Sequence, residues 1–468
     1  MIAGMRVLVG VGVVLILGQV VPVGVAAPAP AAAKERAEAA RLLARFDSAQ
    51  DNYRRRHEKI WMNAQAAGLA GGLACMSCLP DVGVQCGLYC DRQLIGKGQF
   101  LLRQDDGPRA ALLAAVRAAR KAIQTDPKDA KAHLLLARVY IRLANNTGER
   151  VVRREFPLLH RLRQTQIAAA LHRAVVLQPD LLQAHEGLFE LYQELKYLDL
   201  TAKHFERVVE GRRVAGPEKG ETREEFERRI QQLKAIAKKL ELDAAQRLDH
   251  YEVDTANKSV RAKATRAMQL GLADKALEVL LASDAKTFGR DGMFLELHLL
   301  LSTGRVKEAG KWLTPQVGAA IGMDDYHWLR LLHDAAVGEY DDADKHLKKM
   351  IAKRESLHMR SQLALTFSQV VLDGSRPRES LVQLLFTNAN QQVFRRRVEE
   401  TRSVLCERAN FSVLRGLLMM ERGADREAAR CFRTALELWR NDIAASSGAG
   451  LDFAGRILAQ QCLRFVEP

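Results

Sequence analysis

The 468 residues are too many for a single compact core, so we expect either several domains or one extended repeat array. A hydrophobic fraction of 48% excludes a globally disordered chain, because this much apolar surface can offset the entropy of ordering. The net charge of +15 is compatible with nucleic acids, anionic membranes or acidic proteins as partners, and by itself it selects none of them.

Residues 1–33 have the pattern of a secretory signal peptide. Arg6 precedes an apolar stretch, and small residues lead up to a charged segment that begins at Lys34. This order predicts cleavage after residues 31–33. Residues 7–25 also approach the roughly 20 apolar residues that a spanning helix needs, so an uncleaved membrane anchor is the alternative. In both cases we expect the rest of the chain to be exported, as a periplasmic, secreted or cell-surface protein.

Residues 34–105 form a predicted N-terminal helical segment that contains four closely spaced cysteines. In an exported chain we first expect two disulfides that staple a small helical hairpin. A four-thiolate zinc site is the second expectation, because four sulfur ligands suit tetrahedral coordination, and an iron–sulfur centre or a thiol-redox pair is the third. The four cysteines are Cys75, Cys78, Cys86 and Cys90, with the spacing C-x2-C-x7-C-x3-C.

Residues 106–210 contain two stretches with the same pattern, each opened by a proline, Pro127 or Pro179. A small residue, a leucine and a tyrosine follow each proline at equal distances, and in the second stretch a threonine and a phenylalanine mark a further helix. These spacings predict short helices with one apolar stripe each, which must be buried against neighbouring helices. The predicted repeat-packing residues are Ala132, Leu136, Tyr140, Ala184, Leu188, Tyr192, Thr201 and Phe205.

This pattern resembles the tetratricopeptide repeat (TPR), a pair of antiparallel helices with a period of about 34 residues. Pro127 and Pro179 are 52 residues apart, so an insertion is expected over residues 145–166, on a turn at one face of the array. The resemblance implies an all-α solenoid of stacked antiparallel helix pairs, wound as an open spiral with a concave groove. It also implies a scaffold or adaptor that holds a protein or peptide in that groove and catalyses no reaction.

Residues 211–250 interrupt the repeats with a linker and a long helix. Gly216 and Pro217 predict a turn, and Thr222 with Glu225 has the spacing of a capping box that begins a helix. Apolar residues then recur at alternating intervals of four and three, which is a short heptad seam. We expect a linking helix packed on the solenoid, with an intermolecular coiled coil as the alternative.

Residues 251–440 contain degenerate TPR-like repeats, recognised by a glycine that is followed five residues later by an alanine. Glycine suits the turn between two helices because it accepts left-handed backbone angles. Gly271, Gly304 and Gly338 mark the weaker units, and residues 441–468 are expected to form a C-terminal capping helix. The clearest unit carries Gly423, Ala428, Phe432 and Ala435.

The sequence has no Gly-x-Ser-x-Gly, P-loop or His-Glu-x-x-His pattern, so we expect no enzyme, cofactor or small-molecule substrate. His133 and His185 hold equivalent repeat positions, which favours a packing role. Cys406, Cys431 and Cys462 lie on helical patterns, where three buried thiols or one disulfide with a spare thiol are equally reasonable. Two alternative functions stay open: a thiol-redox or metal-binding module on the four-cysteine cluster, and binding of nucleic acid or an anionic polymer through basic helix faces.

Overall fold

The computed structural model describes residues 30–66, 106–147, 149, 156–283, 285–374, 381–441 and 453–466. Throughout these ranges the regular elements are helices, with no β-strand among them. Most consecutive helices pack against each other in pairs, and short turns join many of the pairs whose connection is described. The predicted all-α architecture of stacked helix pairs is therefore confirmed.

The N-terminal part of the described chain extends to Thr255. Its helices are α1 (Pro30–Ala66), α2 (Asp106–Thr125), α3 (Ala130–Asn146), α4 (Pro157–Leu177), α5 (Leu182–Leu195), α6 (Leu198–Ala215) and α7 (Arg223–Thr255). Helix α1 begins inside the segment predicted as a signal peptide, and it packs against α2. Helix α3 begins after Asp129, whose carboxylate accepts a hydrogen bond from the backbone N–H of Ala132 at 3.1 Å and so caps the helix.

The C-terminal part begins at Val260. Its helices are α8 (Val260–Gln269), α9 (Ala273–Leu281), α10 (Ala285–Ser302), α11 (Val306–Trp312), α12 (Pro315–Ile321), α13 (Met323–Val337), α14 (Tyr340–Gly374), α15 (Leu381–Arg422), α16 (Asp425–Asn441) and α17 (Phe453–Val466). The last of them, α17, packs on α16 and α15. It lies within residues 441–468, where the sequence predicts a capping helix.

The turns between paired helices in the C-terminal part contain the glycines that the sequence indicates. A positive φ is a conformation that residues with a β-carbon rarely adopt, and it lets the chain leave one helix and return antiparallel in the next. The predicted glycine turns are therefore confirmed. The glycines and their φ angles are Gly271 (75°), Gly304 (80°), Gly338 (95°) and Gly423 (90°).

Helix α7 is the long helix that the capping-box pattern predicts. The hydroxyl of Thr222 accepts from the backbone N–H of Glu225 at 3.2 Å, and the Glu225 carboxylate accepts from the backbone N–H of Thr222 at 2.9 Å. The helix packs against α6 and α8, and it buries Ile230, Tyr251 and Thr255. Within the described chain it is a linking helix on the array, as the heptad seam led us to expect.

The two parts do not form an open spiral, because they pack against each other. Helices α10, α13 and α15 are the first helices of three pairs, and together they present one face of the C-terminal part. We call this the inner face. Helix α4 lies against α10 and α13, and α2 lies against α15. Buried apolar residues of both parts belong to one continuous core. The N-terminal part therefore occupies the place where the sequence predicts a groove for a partner.

Helix α4 is the central helix of this arrangement. Its residues 165–171 are all buried, whichever way their side chains point, as in a helix surrounded by neighbours. The sequence predicts that the insertion over residues 145–166 lies on a surface turn. In the structure, residues 157–166 are instead the first half of the buried helix α4. The reason is the apolar spacing of this stretch: Leu159 and Leu162 are at most 1% exposed and pack in the core.

Helices α14 and α15 are 35 and 42 residues long, and they form a hairpin that is longer than its neighbours. We call residues 352–374 and 381–404 the distal hairpin. Its described side chains are exposed or half-buried, with only His358 and Thr401 buried. At a rise of 1.5 Å per residue each arm is roughly 35 Å long. The distal hairpin therefore has almost no core among its described side chains.

Candidate functional site

The contact between the two parts contains charged side chains, which proteins rarely bury unless they are paired. Together with their polar partners they form a group of seven, of which five are at most 3% exposed and two lie half-buried at the edge. We call the group the buried charge cluster. Its buried members are Tyr140, Glu149, Arg163, Gln166 and Glu421, and its edge members are Arg120 and Tyr340. The cluster thus takes side chains from α2, α3 and α4 of one part and from α14 and α15 of the other.

Arg163 lies at the centre of the cluster and uses its whole guanidinium group. Its Nε and Nη2 donate to the two carboxylate oxygens of Glu149 at 2.7 and 2.8 Å, which is a bidentate ion pair. Its Nη1 donates to the side-chain oxygen of Gln166 at 2.7 Å and also to Glu421 Oε1. One arginine of α4 therefore pairs with carboxylates from both parts of the chain.

Glu421 is the acceptor at which the cluster converges. Its Oε2 accepts from Gln166 Nε2 at 3.0 Å, from the Tyr140 hydroxyl at 3.0 Å and from the Tyr340 hydroxyl at 3.1 Å. Burial raises the pKa of Tyr140, so its hydroxyl keeps the proton that it donates. Both oxygens of this buried carboxylate therefore have partners.

The charges in the cluster balance, with two guanidinium groups and two carboxylates. Burial acts to lower the pKa of Arg163, but the carboxylates of Glu149 and Glu421 outweigh it and the net shift is upward. A buried ion pair contributes little net stability over apolar packing, whereas removal of one partner is strongly destabilising. The arrangement holds two surfaces together in one register, because its groups pair with one another across the contact.

Helix ends of the inner face are the second kind of contact between the parts. The last carbonyl groups of a helix have no partner within the helix. Arg120 donates to the carbonyls of Ala335 and Ala336 at 2.9 Å each, near the end of α13. Arg117 donates to the carbonyl of Met420 at 2.7 Å, near the end of α15. The positive charges also suit the negative ends of the helix dipoles.

Tyr192 makes the equivalent contact at the third helix end. Its hydroxyl donates to the carbonyl of Thr303 at 3.0 Å, just after the end of α10. The helix ends of α10, α13 and α15 thus all meet side chains of the N-terminal part. Specific hydrogen bonds, together with apolar packing, hold the N-terminal part against the inner face.

The structure places the predicted repeat-packing residues inside the protein, except for the glycine. Gly423 forms the turn between α15 and α16. The tyrosines of the two repeats are both at most 1% exposed, and both hydroxyls reach the C-terminal part. The buried residues are Ala132, Leu136, Tyr140, Ala184, Leu188, Tyr192, Thr201, Phe205, Ala428, Phe432 and Ala435.

The two histidines at equivalent repeat positions make equivalent contacts. His133 Nε2 lies 3.3 Å from the carbonyl of Pro127, and His185 Nε2 lies 2.9 Å from the carbonyl of Pro179. Because a carbonyl only accepts, both histidines carry a proton on Nε2. The Nδ1 of a neutral His185 then accepts from Nδ1–H of His204, at 2.9 Å. This histidine pair joins the two helices of one repeat, α5 and α6.

A second histidine pair has the same geometry and was missed by the sequence analysis. His327 and His346 join α13 and α14 with an Nδ1 to Nδ1 distance of 2.9 Å. Like His185 and His204, they are 19 residues apart. This shared spacing was the available signal, and it indicates that the two repeats place a histidine pair at the same point of the helix contact.

The half-buried histidines of the two pairs, His204 and His346, make stability depend on pH. Burial lowers the pKa of His204 to about 3 and that of His346 to about 4. Because these values lie below the ordinary histidine value in the unfolded chain, the neutral rings favour the fold above about pH 6.5. This contribution is lost as the pH falls, by up to about 1.4 kcal/mol per pH unit for each histidine. We expect urea unfolding to show a steady loss of stability from about pH 6.5 to about pH 4.

The variant His204→Asn provides the control for this pH dependence. Asparagine keeps an N–H donor near the position of Nδ1 but does not titrate in this range. Its stability should therefore fall less steeply between about pH 6.5 and about pH 5 than that of the unaltered chain. Parallel curves for the two proteins would show that protonation of His204 does not contribute.

The predicted four-cysteine cluster and residues 1–29 lie outside the described residues. Cys406, Cys431 and Cys462 are thiols, and no disulfide joins any two of them. In the part of the chain that the structure describes, no group of three or more histidine, cysteine or acidic residues could hold a metal ion. In the same part, no helix combines the length and apolar character needed to cross a bilayer.

Comparison with known proteins gives little further information. No family model matches the sequence, and no curated protein matches it significantly. Among solved structures, the chain is similar to the crystal structure of the P58(IPK) TPR domain, with 16% sequence identity. The match covers 82% of this chain and 99% of that chain, with a TM-score of 0.22. At this TM-score the two chains superpose poorly. The all-α fold of this chain is therefore assigned from its own helix pairs.

Proposed function

We propose that the chain is an exported scaffold that binds another protein through the outward surfaces of its helix pairs, without catalysing a reaction. Stacked helix pairs offer long, continuous surfaces, which suit recognition of other chains. The secretory pattern of residues 1–33 supports export. A partner in the groove, as the TPR resemblance implies, would have to displace α2 and α4 from the inner face.

The observation that carries this proposal is the distal hairpin. A helix pair of this length gains most of its stability from tertiary packing of an apolar face. Here only His358 and Thr401 are buried among the described side chains of the distal hairpin. A surface of this kind gains stability when a partner covers it, so the distal hairpin is our candidate for the partner-binding element.

Affinity capture with a hairpin-shortened variant tests the proposal. Thr401 Oγ1 donates to the carbonyl of Ser361 at 3.1 Å, so the chain can be rejoined there by a short glycine-containing turn. The variant lacks residues 362–400 and keeps the ion pairs of Arg354 with Glu407 and of Arg408 with Glu355. Its unfolding transition should match that of the full chain, which shows that the body still folds.

The full chain, tagged at its C-terminus, should be recovered from the exported fraction together with a partner in a fixed ratio. The shortened variant should recover less than about a tenth of that partner. Recovery of the chain in the cytosol alone, or of no partner with either protein, would contradict the proposal.

A further inference from the structure

Three apolar side chains follow one face of α14 within the distal hairpin. Met359, Leu363 and Phe367 are 61%, 67% and 70% exposed, and they are spaced four residues apart. Residues at this spacing lie one above another on a helix, so the three form a continuous band roughly 12 Å long. We call them the apolar stripe.

No comparable band exists elsewhere on the described chain. The other strongly exposed apolar residues are scattered over several helices, and single residues of this kind are normal on a protein surface. Those on α7 illustrate this: Ile236 and Leu242 are six residues apart and point to different sides, and Val253 lies eleven residues, or about three helical turns, beyond Leu242. The apolar stripe is therefore the described surface that most resembles a binding site.

Positively charged side chains lie along the distal hairpin near the level of the apolar stripe. Arg360 is exposed on α14, and residues 395–397 are three exposed arginines on α15. The bond from Thr401 to Ser361 sets the register of the two antiparallel arms, and it places residue 395 at the level of Phe367. Two of the three arginines pair with Glu400, whereas Arg360 and Arg395 form no ion pair with any residue that the structure describes.

We propose that the apolar stripe binds an amphipathic helix of the partner protein, one with acidic side chains beside its apolar face. This inference depends on the scaffold function proposed above and names the chemistry of the partner. Apolar residues four apart fit between those of a second helix, and guanidinium groups pair well with carboxylates. A membrane is a weaker fit, since the three side chains hold no more carbon atoms than one myristoyl chain, which alone binds membranes only marginally.

Synthetic peptides provide the probe. One peptide of about 18 residues has leucines at helical spacing with flanking glutamates, and a second has lysines in place of the glutamates. Binding to the full chain is measured by fluorescence anisotropy. We expect the acidic peptide to bind and the basic peptide to bind at least about tenfold more weakly.

Variants then locate the binding site. The double variant L363Q/F367Q should weaken binding of the acidic peptide by at least about tenfold. The matched control V214Q/V253Q changes two valines that are 76% and 82% exposed on α6 and α7, and it should bind as the unaltered chain does. All four positions are on the surface, so both variants should fold.

Three results would overturn the proposal: equal binding of both peptides, an equal effect of the two double variants, or binding of phosphatidylglycerol vesicles without binding of the acidic peptide. Partner capture shows whether the binding site or the whole scaffold function is wrong. If L363Q/F367Q still captures the partner, the apolar stripe is not the site although the scaffold function stands, whereas absence of any partner removes both proposals.

Discussion

Replacement of Glu421 by alanine is expected to lower the free energy of unfolding by about 3–5 kcal/mol. The change removes the acceptor of Gln166, Tyr140 and Tyr340, and it leaves the Arg163 guanidinium short of one buried counter-charge. Urea unfolding followed by circular dichroism measures the loss. An effect of this size is expected because Arg163, Gln166 and Tyr140 are at most 2% exposed, so the groups that lose their acceptor stay buried.

A surface ion pair provides the control for Glu421→Ala. Arg396 donates to Glu400 at 3.0 Å, but its side chain is 81% exposed. Replacement of Arg396 by alanine should change the free energy of unfolding by less than about 1 kcal/mol, because solvent screens such pairs. If Glu421→Ala had an effect as small as this, the two parts of the chain would not meet through the buried charge cluster.

Replacement of Gly304 by alanine is expected to destabilise the protein more than the same change at Gly220. Both glycines have a positive φ, 80° and 89°, so both replacements cost roughly 1–2 kcal/mol for the left-handed backbone. At Gly304, however, the new β-carbon would overlap the backbone carbonyl of Ala168 on α4. At Gly220 nothing lies within 4 Å of it.

The difference between the two alanine variants measures the contact between the parts. A backbone carbonyl cannot turn away as a side chain can, so α10 and α4 must separate locally. We expect Gly304→Ala to lose about 2–3 kcal/mol more than Gly220→Ala in urea unfolding. Equal losses would mean that the turn at Gly304 does not touch α4.

Local features of the fold could be predicted from the sequence because short-range spacing encodes them. Pro127 and Pro179 open two equivalent helices, and a glycine followed by an alanine marks the turn of a helix pair, as at Gly304. Such patterns indicate that a helix has an apolar stripe to bury. They do not indicate which distant helix will cover it, because many amphipathic helices can satisfy the same stripe.

The packing of the two parts could not be predicted for this reason. Arg163 and Glu421 are 258 residues apart, and each sits in a charged stretch that resembles a solvated helix face. One signal was available. Residues 167–171 are Ile-Ala-Ala-Ala-Leu, a run without a polar face, and such a run indicates a helix that is buried on all sides.

The apolar stripe of the distal hairpin was also visible in the sequence as residues four apart. It was not recognised because an exposed and a buried stripe have the same spacing. Only the burial of each side chain distinguishes Phe367, which is 70% exposed, from Phe432, which is inaccessible to solvent.

The contact of α2 with α15 gives this protein a property that linear repeat arrays lack. In a linear array each unit touches only its neighbours, so terminal units can be removed one at a time at modest cost. Here α2, near the start of the described helices, packs on α15, near their end, so removal of either helix would expose apolar surface on the other. Apart from the distal hairpin, the described helices should therefore unfold in a single cooperative transition.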